Sequence, residues 1–548
     1  IGVEDSFFGT DGIRGLTSIE AVSEADAVAA LDGERTLTPA FMRLVGEALS
    51  YTQPALPGEG SVVVVGWDRR PHNASLVAAL TLGLRLTGST VVHIGACATP
   101  TLHHAVLAFG ARQGCMITAS HNPVSDSGIK IFDAHGYKSS RSYEEEVSRT
   151  VRQLAEEDRD VDAVDRERLS LPDDLRAGWG LMAHAKWMKK RWKAFETLFG
   201  PWSGQGPEGR CAPTLLIDGA NGFATEWLAG FLSEQGVACA EVGSATGVLN
   251  DACGAGDFSP TQTWTFDEAK ASPHALIRRL ERAEPGQLVG AALDGDGDRC
   301  LLIQATERGF AVVDGDAIAA LMLSASPQRP WSFAASIESD IGLFGHACSV
   351  NPDTSCVETA VGDRWLAYAL RPVEGEGIQS DGMPLMCGIE DSGHVVLPAP
   401  HPLHDGVWSL VGDGAATLCA ALLAAGNEKD EPFPRGWKQR VSVKDSRRER
   451  WSDGTALFTS TEKTIMHAME RMGFNAQRRR INGEKDLLLI HGESAVGVAS
   501  FGVRNSGTQA KTSLSVRLSR GLDAEPFEAL LDDVKTTLTE ALTGLNRP

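Results

Sequence analysis

The chain has 548 residues, 42% of them hydrophobic and 22% charged, which is ordinary globular composition but too long for a single core. Lysine and arginine number 51 against 72 aspartates and glutamates, a formal charge of −21. That balance argues against nucleic acid or an anionic membrane as the main partner, and obliges any anionic substrate to find a local cluster of cations.

In chain order, the glycine-rich "FGTDGIRG" (8–15) comes first, with Arg14 either a phosphate ligand or a surface charge. The first 140 residues then alternate: "SVVVVGWD" (61–68) reads as a strand, Ala74 to Leu86 as a helix, and "STVVHIG" (89–95) as a strand. Thr101 to Phe109 reads as a short helix and "CMIT" (115–118) as a third strand. Alternation at this spacing predicts a parallel α/β sheet, whose ligands bind beyond the carboxyl ends of the strands. "TASHNP" (118–123) lies there, although Ser120-His121 taken alone reads as turn chemistry before catalysis.

Residues 139 to 210 are charged and then tryptophan-rich, and predict two helices bridging domains, with their charge runs as solvated faces. A second α/β unit opens at "TLLIDGANG" (214–222) and ends at "LVGAALDGDGDRCLLI" (288–303). Asp294, Asp296 and Asp298 alternate with glycines, so three carboxylates converge on one hard cation such as Mg²⁺, the bland reading being a polar hairpin turn. A calcium-binding EF-hand loop fails, because its sixth position is Arg299 and its twelfth Ala305.

A third unit runs from "AVVDGDAIAALML" (311–323) to "DGAATLCAALLAA" (413–425), with "GIEDSGH" (388–394) as a hydroxyl-binding loop or a turn. "NEKDEPFPRG" (427–436) reads as a linker, and 437–548 as an α+β domain. Its "RNSGTQAK" (504–511) offers guanidinium, ammonium and hydroxyl donors for an oxyanion, or a polar loop between strands. No run of about 18 apolar residues marks a membrane span, and no signal peptide is visible. The ten cysteines form no C-x-x-C pair, and Cys115, Cys300 and Cys419 lie in apolar stretches. The expectation is a cytoplasmic protein with reduced, buried thiols.

Taken together and in this order, these loops resemble the α-D-phosphohexomutase family, the phosphoglucomutases, phosphomannomutases and phosphoglucosamine mutases. "TASHNP" resembles its phosphoserine loop, "DGDGDR" its metal loop, "GIEDSGH" its sugar-binding loop and "RNSGTQAK" its phosphate-binding loop. "GWDRRPH" (66–72), "DGANG" (218–222) and "TAVGDRW" (359–365) match further, and 140–210 matches least. The chain departs from the family at Gln509-Ala510, where Glu-Pro is common, and at Trp67, where a basic residue is frequent.

The resemblance implies three related α/β domains with mixed sheets and a smaller C-terminal α+β domain around a central cleft. The expected divisions are a phosphoserine-loop domain (1–190), a metal-loop domain (191–304), a sugar-loop domain (305–430) and a phosphate-binding domain (431–548). It also implies a phosphohexomutase exchanging hexose 6-phosphate and hexose 1-phosphate through phosphorylated Ser120 and a hexose 1,6-bisphosphate. Mg²⁺ would sit on Ser120, Asp294, Asp296 and Asp298, with Lys130 as general acid/base and Arg14, His121 and His394 as its partners. Arg299, Gly362, Asp363, Glu390 and Ser392 would hold the sugar phosphate, and Arg504, Ser506, Gly507, Thr508 and Lys511 the non-reacting phosphate. "FGTDGIRG", "LNDACGA" (249–255) and "VGDR" (362–365) are closest to phosphoglucosamine mutases. Glucose or mannose phosphate is the next reading, and a non-catalytic sugar-phosphate-binding paralogue the one behind it. The implied partner is a small hexose phosphate, in a monomer or homodimer.

Overall fold

A computed structural model describes residues 6–52, 61–157, 163–206, 209–371, 377–426, 433–506 and 510–543. Four sheets follow one another along the chain. The first contains β1 (Ile13–Thr17), β2 (Thr36–Leu37), β3 (Val62–Trp67), β4 (Thr90–Ala96), β5 (Gln113–Ile117), β6 (Asp126–Asp133) and β7 (Asp174–Leu175), in the order β2-β1-β6-β5-β3-β4-β7. The second contains β8 (Cys211–Asp218), β9 (Cys239–Glu241), β10 (Thr263–Thr265), β11 (Leu288–Leu293), β12 (Cys300–Ala305) and β13 (Gly309–Val313), in the order β10-β13-β12-β11-β8-β9. This sheet therefore runs on past residue 304, where a boundary was expected.

The third sheet contains β14 (Ser332–Ser336), β15 (Ser355–Thr359), β16 (Ile378–Gln379), β17 (Met386–Ile389), β18 (Val395–Pro400) and β19 (Val407–Gly412), ordered β15-β14-β17-β18-β19-β16. The fourth contains β20 (Trp437–Lys444), β21 (Asn475–Arg479), β22 (Leu488–Ser494), β23 (Gly497–Asn505) and β24 (Lys511–Leu518), all antiparallel, ordered β20-β24-β23-β22-β21.

The first three sheets share one five-strand frame. In each, three neighbouring strands run parallel (β4-β3-β5, β9-β8-β11, β15-β14-β17) and two more are added, each antiparallel to the strand before it (β6 then β1, β12 then β13, β18 then β19). The parallel sheet expected for the first unit is thus mixed, and chain length explains why. Helices Asn73–Leu86 and Thr99–Phe109 make the long crossovers that parallel pairing needs, whereas residues 118–125 are too few for one, so β6 must fold straight back on β5. The corresponding hairpins of the other units are residues 294–299 and 390–394. The three motifs singled out in the sequence therefore occupy one topological position.

Of the two helices expected to bridge domains, Trp179–Phe199 does so. Its buried His184, Trp187, Met188, Arg191, Trp192, Phe195 and Phe199 recur every three or four residues, the spacing of one helix face. Trp192, Phe195 and Phe199 enter a core that also takes Trp227 and Phe231 from the second unit and the apolar helix Gly414–Gly426 from the third. Arg191 pairs with Asp413 at 2.5 Å where both are buried. Helix Arg141–Ala155 instead lies on helix Pro39–Thr52 inside the first unit, because Val147, Val151 and Leu154 belong to that unit's core. It reaches the third unit through Glu144, which accepts two hydrogen bonds from Arg364, and through Arg141, whose guanidinium lies 5.6 Å from the centroid of the Trp365 ring. Phe195→Ala is expected to destabilise the shared core by about 3–5 kcal/mol, read as a lower denaturant midpoint for the second and third units. Among the described residues no helix is long and apolar enough to cross a membrane.

Candidate active site

Ser120 follows β5 in the first hairpin, and its φ of 55° is a left-handed conformation that costs a non-glycine residue about 1–3 kcal/mol. What holds it there is Arg70, from the end of β3. Its guanidinium donates to the carbonyls of Ser120 (2.8 Å), Asn122 (2.9 Å) and Asp126 (2.8 Å), and also to that of Pro123. Asp68 fixes Arg70 in turn at 2.9 Å, and accepts from Thr118 Oγ1 at 2.6 Å. Asn250 of the second unit adds a bond to Ser120 O at 2.8 Å. So braced, Ser120 Oγ donates to Asp294 Oδ2 across the domain boundary at 2.7 Å. Arg70→Ala is expected to leave KM within a few-fold and to lower kcat about 10²-fold, since it frees the loop without touching the reacting atoms. Steady-state kinetics on a hexose phosphate checks this.

Asp294, Asp296 and Asp298 are buried and each brings a carboxylate oxygen within 4.8 Å of the others. Thr99 Oγ1 bonds Asp296 Oδ2 at 2.6 Å. Lys130, on β6, sits at 2.8 Å from Asp296, 2.6 Å from Asp298 and 2.9 Å from Asp11. Lys138 joins Asp11 at 2.6 Å to Asp363 at 2.7 Å. Burial and the two neighbouring aspartates push Asp294 up to about 7. Burial also raises Asp298, but Lys130 and His394 outweigh it and hold the carboxyl well below the usual range. Burial pulls Lys130 down, and Asp11, Asp296 and Asp298 more than reverse that. Asp296 Oδ1 and Asp298 Oδ1 are buried without a hydrogen-bond partner. Clustered hard oxygens, two of them unsatisfied, fit a divalent cation such as Mg²⁺.

The third unit meets this centre directly. Arg299 pairs with His394 as a β-bridge, and Cys300 N donates to Gly393 O at 2.9 Å. His394 Nε2 lies 3.2 Å from Asp363 Oδ2 and 3.8 Å from Asp298 Oδ2. Burial lowers its pKa, but those two carboxylates prevail and bring it to about 9. His121 is its opposite: burial, with Arg299 and Arg14 nearby, takes it down to about 3 and keeps the ring neutral. Glu390 Oε1 accepts from Gly362 N at 2.6 Å, and Ser392 Oγ stands 3.5 Å from Glu390 Oε2. Arg14, the second residue of β1, meets Asp11 at 3.2 Å. Arg299 Nε is 3.8 Å from Asp294.

The fourth unit adjoins the third through a separate ionic cluster. Lys438 meets Asp316 at 2.7 Å and Asp391 at 2.9 Å, and Arg440 meets Asp391 at 2.8 Å and Glu338 at 2.9 Å. Arg504 lies 3.6 Å from Glu338 and 3.2 Å from Glu484. Ser506 N donates to Lys511 O at 2.9 Å. The structure thus gathers the predicted residues of the first three units on one centre. Arg504, Ser506 and Lys511 form a neighbouring group joined to it through the third unit. Gly507, Thr508 and Gln509 lie outside the described residues, as do 427–432 of the expected linker.

The sequence reading passed over Asp11, Asp68, Arg70, Thr99, Lys138 and Asn250. Asp11, Asp68, Arg70 and Asn250 stood inside quoted motifs, whereas Thr99 and Lys138 carried no signal. Trp67 does not face the centre. It packs on the first unit's core with its ring edge-on to His93, centroids 5.3 Å apart.

Residues 5–158 match the family described as phosphoglucomutase/phosphomannomutase, alpha/beta/alpha domain I. A phosphoglucosamine mutase of Rhodococcus jostii (strain RHA1) is 31% identical over 432 residues, 76% of this chain and 82% of its own length. Among solved structures, a phosphoglucomutase/phosphomannomutase family protein from Burkholderia thailandensis matches with a TM-score of 0.62 at 17% identity, covering 100% of this chain and 99% of that one. Aspergillus fumigatus N-acetylphosphoglucosamine mutase, in complex with GlcNAc-6P and magnesium, matches at 0.52 and 15% identity over 91% of this chain and 99% of its own. These two structures share the fold. With its three hairpins on one buried centre and its kinship to curated mutases over three quarters of its length, the chain belongs to the α-D-phosphohexomutase family, isomerases among which it stands close to the phosphoglucosamine mutases.

Proposed function

We propose that this phosphohexomutase interconverts glucosamine 6-phosphate and glucosamine 1-phosphate through phosphorylated Ser120 and a bound 1,6-bisphosphosugar. The observation that carries the reading is Ser120 Oγ, held on left-handed backbone and aimed at Asp294, 2.7 Å away. The sugar's identity rests on the phosphoglucosamine mutase relatives and on the loops at 8–15, 249–255 and 362–365.

The donor set Asp294, Asp296, Asp298 and phosphorylated Ser120 would hold Mg²⁺, which when bound neutralises charge on the transferring phosphoryl group. The magnesium-bound Aspergillus enzyme supports that choice of ion. In the exchange the Ser120 Oγ–P bond breaks as the sugar O–P bond forms. The sugar hydroxyl gives up its proton, Ser120 Oγ takes one, and Lys130 is the group that carries it. His394, cationic at neutral pH, and Arg299 face the same negative charge. Glu390 and Ser392 accept and donate to sugar hydroxyls in either orientation. Arg504, Ser506 and Lys511, with Gly507 and Thr508, grip the phosphate that is not reacting, which gives an acidic protein its local cationic pocket.

The test is an assay with Mg²⁺ and a trace of glucose 1,6-bisphosphate on glucosamine, glucose and mannose phosphates. The expected result is a kcat/KM for glucosamine phosphate at least about tenfold above the others. Equal or better turnover of glucose or mannose phosphate overturns the substrate. No turnover of any, with Ser120 shown by intact mass to be phosphorylated, overturns the reaction.

A further inference from the structure

The chemistry above uses none of the ten cysteines. Seven are buried, Cys115, Cys300 and Cys419 among them as expected, Cys239 and Cys356 are half-buried, and Cys348 is exposed. Cys348 lies near the end of helix Leu343–Val350 and Cys356 is the second residue of β15. Cys348 Sγ reaches to 4.0 Å from Thr354 O, two residues before Cys356, and Cys348 is the titratable neighbour of the Cys356 thiol. The turn between them is fixed from several directions. Asn351 N donates to Ala347 O at 3.1 Å, Thr354 N to Asn351 O at 3.1 Å, and Ser355 N to Trp331 O at 2.9 Å. Trp331 N in turn donates to Thr354 Oγ1 at 3.3 Å, and Cys356 stands in register with Phe333. The two cysteines are thus held next to each other by backbone that is already ordered, where the helix meets the edge strand of the third sheet.

We propose that Cys348 and Cys356 are a redox-active dithiol that closes into a reversible intramolecular disulfide when the protein meets a low-molecular-weight disulfide oxidant. Burial and the adjacent Cys348 push the Cys356 thiol up to about 12, so solvent-facing Cys348 is the sulfur that meets the oxidant. Its thiolate attacks the oxidant's S–S bond, forms a mixed disulfide and expels one small thiolate. Cys356 then displaces the second small thiol and loses its own proton in doing so, so two protein thiols are oxidised as one small disulfide is reduced to two thiols. The new bond closes a nine-residue loop, which restricts the unfolded chain and so stabilises the folded third unit. Cys356 sits at the amino end of β15, whereas the site loops leave the carboxyl ends. The bond therefore acts on stability and leaves the chemistry alone.

The experiment treats the full chain with glutathione disulfide, alkylates without reduction, and reads intact mass, peptides and thermal unfolding. The expected product has lost about 2 Da and joins the peptides containing Cys348 and Cys356. Its unfolding midpoint rises by a few degrees, turnover is unchanged, and dithiothreitol reverses all of it. Cys348→Ser should give no product, and Cys356→Ser should stop at a stable glutathione adduct on Cys348. Three outcomes overturn the proposal: the unaltered chain accumulating that adduct with Cys356 still open to alkylation, dimers linked through Cys348, or no reaction at either cysteine.

Discussion

Ser120→Ala is expected to abolish mutase turnover, by about 10⁴-fold or more, because nucleophilic exchange has no other hydroxyl at that point. Intact mass should show the added phosphate gone at the same time. The geometry separates this loss from simple misfolding. Alanine keeps the Cβ and so keeps the strain of φ 55°, and the contacts Arg70 makes to this loop are all to backbone carbonyls that the substitution leaves in place. Ser120→Gly removes the same hydroxyl but relieves the strain, by about 1 kcal/mol or more. The glycine variant should therefore be the more stable of the two and equally inactive. Residual turnover in both, at a few per cent or more of the original, would show that a different group carries the phosphoryl, and would leave the aspartate centre without its assigned donor.

How far the sequence led can be judged from the same loop. The strand before Ser120 was visible because apolar runs alternate with helical spacing, whereas β6 after it went unread, although a connection too short for a crossover implies its direction. The aspartate hairpin was visible because its ligands lie within five residues. What could not be seen is everything that depends on residues far apart in the chain. Lys138 meets Asp363 across 225 positions, and Arg364 meets Glu144 across 220. Arg191 pairs with Asp413 inside a shared core. Each is a buried charge whose partner comes from another unit, and nothing local distinguishes such a residue from a surface lysine or arginine. The same limit applied to Glu144, which the sequence placed on a solvated face and the structure buries. It also applied to the shared frame of the three sheets, which is a repeat of strand directions and not of residues.

Lys130 is where this buried electrostatics has its largest consequence for stability. Its ammonium is fully buried among Asp11, Asp296 and Asp298, at 2.9, 2.8 and 2.6 Å. Lys130→Met keeps the length and apolar volume of the side chain but leaves those carboxylates facing one another across low dielectric. Removing one partner of a buried charge pair costs about 3–5 kcal/mol, and this lysine serves three, so the metal-free variant should unfold at clearly lower denaturant than the original chain. Mg²⁺ should reverse part of that loss. A ligand that binds only the folded state stabilises it more the tighter it binds, and in the variant no ammonium competes with the ion for the oxygens of Asp296 and Asp298. The expected pattern is a larger Mg²⁺-induced rise in midpoint for Lys130→Met than for the original chain, together with a loss of turnover of about 10²–10⁴-fold from the missing proton carrier. Lys130→Arg is the useful control: it restores the positive charge without a titratable proton at neutral pH, so it should regain stability in the absence of metal and stay slow. If Lys130→Met were as stable as the original chain without Mg²⁺, the three carboxylates would have to be protonated or solvated when the lysine is gone, and the charge balance assigned to this centre would be wrong.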